Sequence, residues 1–108
     1  MIKMYMNVKN SDTKKIKIET YYSKNKQNWF NGKYDERGYY VSALLVEVVN
    51  KGTYTVESYT IPSSGYKMLV KAVTRASKKQ EEEADKQALQ CMNILIDKIC
   101  AENNIEIE

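Results

Sequence analysis

The spacing of apolar residues changes once along this chain, from every second position to every third or fourth. That change calls for a sheet followed by a helix. Ile2, Met4, Met6 and Val8 alternate with Lys3, Tyr5, Asn7 and Lys9, the pattern of a half-buried strand. Asn10-Ser11-Asp12 reads as a turn, after which Ile16 and Ile18 alternate with Lys15, Lys17 and Glu19 as far as about Tyr22. Two alternating runs joined by a short polar turn predict a hairpin. Tyr39 to Val49 is apolar on both parities except at Ser42 and Glu47, which predicts a central strand covered on both faces. Asn50-Lys51-Gly52 turns the chain. Thr53 to Ile61 has the Thr, Tyr and Val content of a strand, and Pro62-Ser63-Ser64-Gly65 stops it.

Tyr66, Leu69, Val70 and Val73 then fall at i, i+3, i+4 and i+7, one face of a helix. Met68, Val70 and Ala72 alternate as a strand would, so both readings of 66–73 stay open. Ser77-Lys78-Lys79-Gln80 has the form of a capping box, and Glu81, Glu82, Glu83 and Asp85 follow where carboxylates favour the positive helix end. Leu89, Met92, Ile96 and Ile99 step by three and four, Lys98 sits in the last turn, and Asn103-Asn104 ends the run. A helix is predicted over 78–102, and Ile105 and Ile107 predict a short terminal strand. The expected fold class is α+β: an antiparallel sheet of about four strands followed by a C-terminal helix packed on one face. Residues 1–108 form one domain in this reading, 1–61 mostly β and 64–103 mostly α.

The residue inventory narrows the chemistry. Histidine is absent from all 108 residues, which removes the commonest general base and metal ligand. The four glycines match neither a P-loop nor a dinucleotide fingerprint. Asp12-Thr13-Lys14 lies in a predicted turn without a placed partner. Glu47 and Glu57 lie on neighbouring predicted strands, where paired carboxylates can hold Mg²⁺ or move protons; more often such residues point to solvent. Cys91 and Cys100 lie nine residues apart on one helix, on opposite sides, and read as buried thiols. No enzyme activity, cofactor or metal is expected. The first six residues lack the continuous apolar core of a signal peptide, and no apolar run approaches a membrane span. A cytoplasmic protein with no membrane partner is expected. The abundance of Lys, Asn, Ile and Tyr suits a low-GC bacterium or one of its mobile elements.

The first 40 residues hold nine basic residues against four acids, and eight of the chain's eleven aromatics. Rings interleaved with lysines suit a single-stranded nucleic-acid surface, where bases stack and cations meet phosphates. By parity Lys15, Lys17 and Tyr21 share the face turned away from the Ile16/Ile18 core. The long polar connection after them carries Lys24, Lys26, Trp29, Phe30, Lys33, Tyr34 and Arg37. These ten residues are the candidate contacts for a single-stranded nucleic acid or a host protein. Trp29 and Phe30 lack periodic apolar neighbours and are expected to be partly exposed. An ordinary solvated sheet face would show the same lysines, and only two of the 17 cations, Arg37 and Arg75, are arginine. The first expectation is a small non-enzymatic nucleic-acid-binding protein. The alternative is a protein-binding inhibitor or adaptor, such as a phage-encoded anti-defence protein acting on a host enzyme.

The predicted helix carries an apolar arc close to half its surface. Leu89, Ile96 and Cys100 mark one edge, Ala84, Cys91 and Leu95 the other, and Ile94 falls on the polar side. An arc wider than one sheet contact predicts a homodimer using Cys91, Ile94 and Leu95.

Overall fold

The computed structural model describes residues 1–24, 36–59 and 65–108. Among these residues five strands precede one helix: β1 (Lys3–Asn7), β2 (Lys14–Ser23), β3 (Gly38–Lys51), β4 (Tyr54–Tyr59), β5 (Gly65–Ala72) and α1 (Lys78–Asn103). All strand pairings are antiparallel, in the order β1-β2-β3-β4, with β5 also bonded to β3. This is the expected α+β architecture with its terminal helix on one face. No helix among the described residues is long and apolar enough to cross a membrane.

The predicted first hairpin is present. Asn10 takes the left-handed conformation at its turn (φ 64°), and the Ser11 hydroxyl accepts from the Lys14 amide at 3.0 Å. An Asn with φ > 0 and a serine closing the turn are what this local chemistry favours. β3 is the spine. One of its edges pairs with β2 over Gly38–Glu47. Val46 and Glu47 are paired with both β2 and β4, so β4 lies on the opposite edge. β5, paired to Gly38–Leu44, shares that edge end to end with β4. Every β3 residue from Gly38 to Val46 is buried, as a strand covered on both faces requires.

The stretch 66–73, open between helix and strand, is β5. Tyr66, Met68 and Val70 pack against the core, so the alternating pattern prevails and the block 64–103 is helical only from Lys78. About two helical turns offer few backbone bonds of their own, whereas β3 supplies a full ladder.

The core lies between the sheet and α1. Ile16, Ile18, Val41, Ala43 and Leu45 meet Ala88, Leu95, Ile96 and Ile99. A buried polar seam runs beside it, where the Thr20 hydroxyl donates to Asp85 Oδ1 at 2.9 Å and accepts from the Ile2 amide at 2.7 Å. Ile107 bridges Val8, so the predicted terminal strand exists as a single bridge that extends the β1 edge.

Both helix ends match their sequence signals. Ser77 caps the start in extended conformation and accepts from the Gln80 amide at 3.2 Å, and Asn104 closes the end in the left-handed region. Ser77→Ala is expected to cost about 1 kcal/mol, read as a lowered urea midpoint with unchanged slope.

Candidate nucleic-acid interface

Parity on β2 distributes its side chains as expected. Ile16 and Ile18 face the helix, while Lys15, Lys17 and Tyr21 face the other way. On that helix-free face, however, side chains from β1, β2 and β4 join over β3. A flat sheet would hold β1 and β4 roughly 14 Å apart, three strand spacings. Yet the Tyr5 hydroxyl of β1 donates to Glu57 Oε2 of β4 at 2.6 Å. Lys17 Nζ completes the latch, 2.8 Å from Glu57 Oε1 and 3.8 Å from Glu19 Oε2, with its side chain only 13% exposed. Leu44 and Val46 on the same face of β3 are buried.

The electrostatics of the latch follow from its geometry. The hydrogen bond to Glu57 raises the Lys17 ammonium above its ordinary value against the pull of burial. The same carboxylate raises the Tyr5 phenol. Burial pushes the Glu57 carboxyl up, but the bonds from Lys17 and Tyr5 together outweigh it and hold the group below its ordinary value. A carboxylate with a depressed folded pKa contributes stability above its unfolded pKa, and that contribution is lost as pH falls through the folded value. The destabilisation caused by Glu57→Gln should therefore be full at neutral pH and shrink in acid below the ordinary carboxylate range. Thermal melts of both proteins across pH 3–7 check this.

The latch changes the roles of the expected contacts. Lys17 is neutralised by two carboxylates and largely buried. Lys15 donates to Asn7 Oδ1. Tyr21 stacks on the buried Tyr40, with ring centroids 5.6 Å apart and planes within 12°, and Lys67 Nζ lies 5.3 Å from the Tyr40 ring. These groups hold the sheet together. Lys26, Trp29, Phe30, Lys33 and Tyr34 lie outside the described residues.

Lys24 and Arg37 are placed differently. Pairing of Ser23 with Gly38 sets them across from each other at the end of the β2–β3 ladder. Arg37 Nη1 donates to the Thr74 carbonyl at 3.3 Å, and the Arg37 carbonyl accepts from the Val73 amide at 3.3 Å. This brings Arg37 against the β5–α1 connection, where Arg75 lies. Tyr22, Lys24, Arg37, Thr74, Arg75 and Ala76 line one cavity of about 370 Å³. Among the described residues, no carboxylate pairs with Lys24, Arg37 or Arg75.

Arg75 was not among the sequence candidates, because it stands in a short polar stretch without aromatic neighbours. Its rarity was the usable signal: both arginines of the chain come to one place, and arginine is the favoured phosphate ligand. Glu47 and Glu57, weighed as a carboxylate pair, do not form one. Glu57 is opposite Val48 and Glu47 opposite Ser58, so strand alternation sends the two side chains to opposite faces.

The expected dimer residues also separate. Leu95 is 2% exposed within the chain's own core, whereas Ile94 is 51% exposed on the polar side of α1. Cys91 packs at the core margin. Burial pushes the Cys91 and Cys100 thiols up, in Cys100 with added repulsion from Asp97 and Glu106, so both remain protonated at neutral pH. Leu89, taken as an edge of the arc, is 47% exposed. The buried arc is therefore narrower than the apolar one and is filled by the chain's own sheet, which removes the argument from arc width for a second copy. Among the described residues no group of three or more metal-ligating side chains comes together.

Comparison with known proteins finds no matching family model, no similar curated protein and no similar solved structure.

Proposed function

We propose that this chain is a non-enzymatic protein that binds single-stranded nucleic acid through the end of its sheet rather than through the open face of β2. One observation carries this reading: Lys24, Arg37 and Arg75 line a common cavity and lack carboxylate partners among the described residues. Cations left unpaired beside one another repel. Such an arrangement is stabilised when an anion is bound, and phosphate is the anion that arginine meets best. The half-buried Tyr22 at the cavity wall offers a ring at the same place.

The test is fluorescence anisotropy with a labelled single strand across a salt series. Binding should weaken steeply with salt, with a logarithmic slope of about −0.7 for each phosphate neutralised. The double variant Arg37→Gln/Arg75→Gln should bind at least tenfold more weakly, with a slope shallower by about 1.4. Wild-type binding that is absent, or insensitive to salt, ends the proposal.

The alternative, a protein-binding inhibitor or adaptor, draws on Tyr54, 62% exposed at the turn joining β3 to β4. Exposed tyrosines anchor protein interfaces. Under this reading Tyr54→Ala abolishes co-purification of one defined host protein while Arg37→Gln/Arg75→Gln does not.

A further inference from the structure

We infer that the cavity at the sheet end recognises a terminal phosphate monoester, the phosphorylated end of a strand, in preference to the diesters of its interior. The inference rests on the nucleic-acid reading above. Two features of the site carry it beyond that reading.

The first is convergence. A surface that follows a backbone spreads its cations along a track, one near each successive diester. Here the three cations come from three separate segments and line one concavity. Lys24 directly follows β2, Arg37 directly precedes β3, and Arg75 lies between β5 and α1. Arg37 is tied to the far wall by its bond to the Thr74 carbonyl, so the guanidinium is held in place rather than free to follow a moving chain. Three cations around one point match a group of charge near −2. A monoester carries about −1.5 to −2 at neutral pH, whereas a diester carries −1.

The second is the start of α1, which directly follows the cavity wall at Ala76. Lys78 and Lys79 occupy the first two positions after the Ser77 cap, ahead of Glu81 in the first turn. These lysines stand three and four positions after Arg75 in the chain, next to the cavity wall at Ala76.

The inference is tested with one oligonucleotide sequence in three forms: 5′-phosphorylated, 3′-phosphorylated and unphosphorylated. Each is titrated against the wild type, Arg75→Gln and Lys24→Gln, with circular dichroism confirming the fold of both variants. One phosphorylated form is expected to bind at least tenfold more tightly than the unphosphorylated strand, and which one it is identifies the end recognised. That preference should collapse in both variants and fade below pH 6, where the monoester takes up its second proton. Equal binding of all three forms, with both variants weakening every form alike, overturns the inference and leaves the nucleic-acid reading standing. A preference that survives both variants also overturns it, since the end is then held elsewhere. No binding of any form overturns both.

Discussion

Ile99→Ala should destabilise the protein by about 2–5 kcal/mol, and Leu89→Ala by less than about 0.5 kcal/mol. Both residues continue the same apolar stepping along α1, so sequence alone gives them equal weight. The sheet does not. Ile99 is fully buried in the core between the sheet and α1, and its truncation leaves a void in a packed layer, whereas Leu89 is 47% exposed. Urea denaturation of the two variants beside the wild type measures both numbers. A comparable loss at Leu89 would mean that its exposed face is covered in solution.

Gly38→Ala is the second large effect. A methyl group on Gly38 would meet the Lys71 carbonyl oxygen and the Ala72 Cα, both backbone, well inside normal contact distance. Backbone on a paired strand cannot swing aside, so β3 and β5 must part at this point. A cost of about 1–3 kcal/mol is expected. Gly52, at the β3–β4 turn, separates steric from torsional effects. It has φ +68° with no atom within 4 Å of an added Cβ, so Gly52→Ala strains only its own backbone, by about 1–2 kcal/mol. The two variants differ in reach as well as size. Gly38 is adjacent to Arg37, and parting the strands there pulls Arg37 from Thr74 and Arg75. Gly38→Ala should therefore weaken ligand binding even where the protein remains folded, and Gly52→Ala should not. Binding titrations at a temperature where both are folded distinguish them.

Local pattern read most of the fold correctly, because strands and helix here follow their apolar periods. The Asn10 turn, the Ser77 cap and the Asn104 stop are all short-range chemistry, visible in a few neighbouring residues. Residues 66–73 resisted because a run of eight satisfies both periods, and only the neighbouring β3 edge decides between them. The site resisted for a different reason. Parity correctly put Lys15, Lys17 and Tyr21 on the helix-free face, but parity carries no information about which side chains meet across the sheet. Glu57 meets Lys17 across two strand spacings, turning an apparent binding lysine into an internal ion pair. Arg75 lies 38 positions from Arg37, and their shared cavity depends on β5 running back along β3.

The end-to-end placement of β4 and β5 bears on how this protein avoids sticking to itself. An uninterrupted partner for the 14-residue β3 would offer solvent a long row of unpaired backbone groups, a template for another chain. Here that outer edge is divided into strands of 6 and 8 residues, with Lys67 and Lys71 on the second. Short, charged edges template poorly. On the far side of the sheet, β1 is only 5 residues long, and the bridge from Ile107 to Val8 occupies the backbone just beyond its end. Among the described residues neither margin of the sheet offers a long straight run, so a lysine-rich chain with a broad central strand carries little risk of growing by edge-to-edge addition.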